Sequence, residues 1–255
     1  MTAGCGCFLD KALTQYQPLP GEFTKNSGSA SVHCRGPRGL GEEVARALEQ
    51  NSRSNQGSPT VEEQAFLRAW TQKEGCLIPR ASWESWILVS NSTLEHEVRL
   101  RLTDRRAVKR TWPGTFGFVP AWNGTAWVPR TASPAEYLHR LHLQNTIFQD
   151  EIRLEGGMIH SGPSIILGQP PGGFSFVISQ PWLEAADNQR QFPAEEEIHG
   201  LLSQIGFQPL LQSLYGWQST DQTLIILDAK PDNFIATPDG ILPIDLLITE
   251  CQSAA

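Results

Sequence analysis

The sequence predicts an α+β fold, with antiparallel hairpins first, one main helix after them, and a mixed region at the end. Three observations predict it. Val98, Leu100 and Leu102 alternate with Arg99 and Arg101, the two-residue period of a half-buried strand, and residues 107–111 return after a polar turn. Asn123-Gly124 stands between two further β-type runs, a strong hairpin signal. Ser133-Pro134-Ala135-Glu136 opens a helix with Ser at the N-cap, Pro at N1 and Glu at N3, the pattern of a capping box.

In chain order, residues 1–38 hold no apolar period and read as a loose leader. Residues 41–50 read as a helix with Val44, Ala45 and Leu48 on one side, followed by a polar linker over 51–58. Ser58-Pro59 starts a second helix over 60–74, with Phe66, Leu67 and Trp70 as its apolar stripe and Gly75 as its C-cap. These 78 residues are expected to be a partly disordered N-terminal extension with two helices. A strand is predicted over 85–90, then the two hairpins, the second pairing 118–122 with 125–128. The capped helix buries Tyr137, Leu138, Leu141 and Phe148. Strands follow near 164–167 and 175–179, then a connector at Gln180-Pro181-Trp182 and a helix over 193–204. Residues 223–248 are strand-rich. The expected division is 1–78, a sheet lobe over 79–185 and a small terminal lobe over 186–255.

Composition narrows the function. The chain has 255 residues, 40% of them hydrophobic, which is enough for a core. A net charge of −7 argues against a general nucleic-acid binder, whose affinity rests on cations at phosphates. No run reaches the roughly 18–20 apolar residues of a membrane span, and residues 1–11 do not read as a secretory signal, so a cytoplasmic protein is expected. Five cysteines at scattered positions do not read as a disulfide framework. Cys5, Cys7, His33 and Cys34 fit no structural zinc spacing. Of 20 basic residues only Lys11, Lys25, Lys73, Lys109 and Lys230 are lysines, which singles out each lysine in a chain that otherwise uses arginine.

The chemistry concentrates near the C-terminus. Four apolar residues, Leu224 to Leu227, run into Asp228-Ala229-Lys230-Pro231-Asp232-Asn233, and the turn Thr237-Pro238-Asp239-Gly240 follows. Read as a three-residue loop with Gly240 left-handed, this turn sets Thr237 opposite Ile241 and Asn233 opposite Asp245. An amide oxygen and a carboxylate would then converge, and both are hard ligands of the kind Mg²⁺ accepts. Asp245 sits in apolar sequence, and a carboxylate in such a setting requires a partner or a metal.

These residues resemble the catalytic core of the protein-kinase-like superfamily. Asp228-Ala229-Lys230-Pro231-Asp232-Asn233 is similar to its catalytic loop, which implies Asp228 at the acceptor hydroxyl, Lys230 at the transferring phosphate and Asn233 on Mg²⁺. Asp245 is similar to the metal-binding aspartate of the family's D-F-G position, which here reads Asp245-Leu246-Leu247. Ala107-Val108-Lys109 resembles the strand motif whose lysine holds the α- and β-phosphates of ATP, and Glu136 on the next helix is the implied partner of Lys109. Glu136 is equally accounted for as the capping residue at N3. The likeness covers residues 85–250 and is greatest to the polyvalent kinase-like domains of phages and mobile elements, through Leu94-Glu95-His96-Glu97-Val98, Thr111-Trp112-Pro113-Gly114 and the Asp228–Ile235 signature. The chain departs from the family where residues 89–94 lack a glycine-rich phosphate loop and where Ile226-Leu227 precede Asp228. Only ten residues follow Asp245, so a truncated C-lobe is expected. The resemblance implies two functions: an ATP/Mg²⁺-dependent phosphotransferase with an acceptor, protein or small molecule, that the sequence does not name, or a catalytically weak or inactive relative serving as a nucleotide-binding or protein-interaction module.

Overall fold

The computed structural model describes residues 61–91, 93–162, 172–186 and 190–251. The helix expected over 41–50, its linker, the strand near 164–167 and the Cys5, Cys7, His33 and Cys34 positions lie outside these residues.

The first helix, α1 (Val61–Lys73), buries Leu67 and Trp70 and ends at Gly75, whose φ of +66° makes the left-handed turn expected of it. A short helix, α2 (Arg80–Glu84), carries the buried Trp83. Then come β1 (Ile87–Ser90), β2 (His96–Arg101) and β3 (Arg106–Thr111). β4 (Phe118–Trp122) and β5 (Trp127–Thr131) form a separate hairpin, and α3 (Pro134–Phe148) follows. β6 (Arg153–His160) and β7 (Gly173–Pro181) complete a five-stranded sheet in the order β1-β2-β3-β7-β6. The terminal region adds α4 (Glu195–Gln204), β8 (Phe207–Pro209), β9 (Trp217–Ser219), β10 (Leu224–Leu227), the hairpin β11 (Phe234–Thr237) and β12 (Gly240–Pro243), and β13 (Leu247–Glu250). β13-β10-β9-β8 make a second sheet. Every pairing between described strands is antiparallel, so the fold is α+β. Among the described residues no helix is long and apolar enough to cross a membrane.

α3 positions the whole. Its capping box forms as the sequence dictates: Ser133 Oγ accepts from Glu136 N at 3.3 Å, and Glu136 Oε2 accepts from Ser133 N at 2.8 Å. One side of the helix, with Tyr137, Leu138 and Leu141, packs on Phe176, Ile178 and Leu154 of the first sheet. Another side, with Leu143, Ile147 and Phe148, joins Leu202, Trp217, Ile226, Phe234 and Ile248 in the terminal core. Each buried side chain of this size contributes about 1.5–3 kcal/mol, so the helix is fixed by two cores at once.

Two local expectations are corrected. Asn123-Gly124 does not form a two-residue turn. Trp122 pairs with Trp127, which leaves a four-residue loop. The reason is the Asn123 side chain: its Oδ1 accepts from Thr125 N, Thr125 Oγ1 and Ala126 N at 2.9–3.0 Å, a local competitor to the tight turn. The second correction is β6, a strand where the sequence predicts none. Here the glycine is required by close approach: a Cβ on Gly156 (φ +144°) would lie 1.9 Å from the Cys76 carbonyl oxygen, and the strand bulges at this point.

Candidate functional site

Strand alternation decides where Lys109 goes. In β3, Val108 points to the outer face of the sheet, among Trp83, Met158 and Val177. Lys109 therefore points inward, beneath α3, and is only 7% exposed. Its Nζ donates to the carbonyl of Ile244, a residue 135 positions further along the chain. Ile244 N in turn donates to Asn233 O at 2.8 Å. One residue, Ile244, thus ties the buried lysine to the base of the β11–β12 hairpin, immediately before Asp245.

The hairpin has a different register from the one expected. Thr237 pairs with Gly240 and Phe234 with Pro243, so the turn is the two residues Pro238-Asp239 and Asn233 stands level with Ile244 instead of Asp245. Thr237 Oγ1 donates to Gly240 O at 2.8 Å and closes this shorter turn. The one-residue slip carries Asp245 past the hairpin mouth and under α3.

There Asp245 meets Arg140, which is 1% exposed at its side chain. Arg140 Nη2 is 2.9 Å from Asp245 Oδ1, and the same guanidinium makes a two-pronged contact with Glu95 at 3.0 and 2.9 Å. Nη1 also donates to Phe118 O at 2.7 Å. Glu95 is pressed against Gly117 (φ +67°), where a Cβ would come within 2.7 Å of its carboxylate, so glycine makes the seat. His96 lies alongside, with Nε2 2.9 Å from the Tyr137 hydroxyl and Nδ1 3.8 Å from both Glu95 Oε2 and Asp245 Oδ2. Burial alone would raise the Asp245 pKa, but the His96 imidazole, Lys109 and Arg140 hold it far below the usual carboxylate range. Burial pushes the Lys109 ammonium down, and Asp245 opposes that push. A third acid, Asp150, completes the setting. Burial raises its pKa to about 7, with Gln144 and Lys109 acting against the rise. Gln144 Nε2 donates to Asp150 Oδ2 at 2.5 Å, while Oδ1 is buried without a hydrogen-bond partner among the described residues.

The second cluster is more open. Asp228 adopts φ +59°, a left-handed conformation uncommon for aspartate, directly after the buried strand β10. A single 3-10 turn, Pro231–Asn233, returns the chain so that Asn233 Nδ2 donates to Asp228 O at 2.7 Å and to Asp228 Oδ2 at 2.8 Å. Lys230 Nζ lies 3.5 Å from Asp228 Oδ1 and 3.6 Å from Asp232 Oδ2. Partial burial works against the Lys230 ammonium, but Asp228 and Asp232 outweigh it and raise its pKa. Asn233 therefore partners Asp228, not Asp245.

Glu136 is also placed differently from expectation. Its carboxylate accepts from Arg130 Nη2 at 2.5 Å and from the Ser133 amide, so capping and Arg130 account for it. The carboxylates that act on Lys109 belong to Asp245, Glu95 and Asp150. Arg140, Glu95, His96 and Asp150 were not anticipated as site residues. A signal existed in α3: Arg140 and Gln144 fall at i+3 and i+7 from Tyr137, on the stripe that must be buried.

Donor chemistry decides what cations these residues fit. Glu95, His96 and Asp245 each offer a ligand atom, all within 4.8 Å of one another. Arg140 already bridges the two carboxylates, so the guanidinium holds the position a transition metal would need. The hard oxygen donors expected to hold Mg²⁺ are the Asp245 carboxylate, its side chain 31% exposed, and the Asn233 amide oxygen, which this hairpin register does not set opposite each other. Asp245 Oδ1 is committed to Arg140, which leaves Oδ2 for such a role. Compared with protein-family models, curated proteins and solved structures, the chain matches none.

Proposed function

We propose that the chain is an ATP/Mg²⁺-dependent phosphotransferase of reduced kinase-like architecture. The observation that carries this reading is the link from Lys109 through Ile244 to Asn233, with Asp245 next in the chain. It joins a buried cation on a sheet to a polar loop on a second element, the arrangement needed to grip a phosphate at one side and act on it from the other. Lys109 would hold the nucleotide phosphates. Asp245 and Asn233 would hold Mg²⁺, which supplies charge neutralisation on the phosphates. Asp228 would accept the proton of the acceptor hydroxyl, and Lys230 would steady the charge on the transferred group. Gln180 to Glu184, at the end of β7, would line the adenine side. A cytoplasmic location, with abundant ATP, goes with this reading, and the acceptor is a protein or a small molecule.

A second reading is favoured by one contact, Arg140 on Asp245. A guanidinium at that carboxylate substitutes for a divalent cation, which would suit a module that binds nucleotide without transferring phosphate. γ-Labelled ATP separates the two. Under the first reading, wild type incorporates label, while Asp228→Asn and Asp245→Ala do not. Mg²⁺-ATP that raises the melting temperature with no loss of γ-phosphate would support the second. Transfer by Asp245→Ala at the wild-type rate would overturn the first.

A further inference from the structure

The outer face of the five-stranded sheet, on the side away from Lys109, carries a separate polar concentration. Glu97 and Arg110 are opposed residues of β2 and β3 and project outward with Arg99. α2 lays Trp83 between the arginines: Arg99 and Arg110 sit over its ring at 5.4 and 5.2 Å, and its indole donates to Glu97 at 3.0 Å. Beside this stack opens a pocket of about 420 Å³, within the size range of small-molecule sites. Ile78 and Met158 supply its apolar floor, and Arg80, Arg110 and His160 stand around it.

The charge in this pocket is lopsided. Three arginines line it against two glutamates. Arg110 Nη2 is taken by Glu97, but its Nε is buried with no hydrogen-bond partner among the described residues. A buried N–H without an acceptor leaves positive charge uncompensated beside the pocket, and an anion there would offset it. His160 reports the same field: burial, with Arg110 and Arg80 adding to it, lowers its pKa to about 4 against the opposing Glu97. The imidazole is therefore neutral at pH 7, and its Nε2 lies 3.0 Å from Ser175 Oγ.

We propose that this pocket binds a small amphipathic organic anion, with a flat apolar body against Ile78 and Met158 and a phosphate or carboxylate head against Arg110 and Arg80. Titration calorimetry with 1-naphthyl phosphate, 2-naphthoate and the neutral 2-naphthalenemethanol tests it. One anion at least should bind one-to-one, and the alcohol at least about tenfold more weakly. The tighter of the two anions identifies the head group. Arg80 is 84% exposed at its side chain, so Arg80→Glu should fold as wild type does and weaken the anion at least about tenfold. Arg110→Gln should do the same, with a thermal melt confirming its fold. Absence of binding by both anions, undiminished binding to Arg80→Glu, or equal binding of the alcohol would overturn the proposal.

Discussion

The two polar clusters at the candidate site are built on opposite terms. The inner one, around Arg140, Glu95, Asp245 and Lys109, lies beneath a helix and is locked by paired charges. The outer one, around Asp228, Lys230 and Asn233, sits on a short loop with its side chains partly in solvent. Desolvated charges are costly unless each is paired, so the inner cluster is bound up with the stability of the fold. Solvated charges contribute little to stability and are free to change partners, which is what a reacting group requires. The clusters are therefore separable by experiment: the Arg140–Glu95 pair of the inner one should answer mainly in stability, and Asp228 of the outer one mainly in activity.

The sharpest way to break that contrast is Arg140→Ala. It strands Glu95, whose side chain is 9% exposed, beside an emptied guanidinium site. A loss of about 3–5 kcal/mol is expected in denaturant unfolding. A loss below about 1 kcal/mol would mean that water enters and that the inner cluster resembles the outer one after all.

Asp150→Asn is expected to have a smaller effect of opposite sign. Asp150 has a folded pKa raised to about 7, so folding favours its neutral form. Its penalty is absent below about pH 4, grows as pH rises from there to about 7, and is complete above 7. The variant should melt about 4 °C higher than wild type at pH 8, and the gap should narrow towards pH 4. Asp245, with a depressed pKa, acts in the other direction: its contribution is present above about pH 4 and lost in acid. A pH-independent gap would show that Asp150 does not titrate where its burial places it.

The smallest stability change belongs to Asp228→Asn. Asparagine tolerates the left-handed backbone that Asp228 adopts, so unfolding should move by no more than about 0.5 kcal/mol. Phosphate transfer, by contrast, should fall about 10²–10⁴-fold. A large stability loss together with unchanged transfer would reverse the roles assigned to the two clusters.

How much of this was legible in sequence follows from range. The capping box at Ser133 and Glu136 and the β2–β3 hairpin are settled by residues a few positions apart, and both were readable. The β11–β12 register was harder, because Pro238, Asp239 and Gly240 suit either a two- or a three-residue loop. Only Thr237 closing on Gly240 decides between them. That single step changed the partner of Asn233. Arg140 was hidden for a different reason. An arginine in a helix reads as solvated until Glu95, 45 residues earlier, and Asp245, 105 residues later, arrive to neutralise it. The inward face of Lys109 was legible through strand alternation, yet its acceptor, a main-chain carbonyl, leaves no mark in any sequence.

Because α3 is greasy on two flanks, neither half of the chain is a self-sufficient piece. A fragment ending near residue 185 would keep the helix but leave Leu143, Ile147 and Phe148 bare, and one beginning there would lose the surface on which Ile226 and Phe234 rest. Expressed alone, both should clump or be degraded, and the intact chain should melt in one cooperative step despite having two sheets.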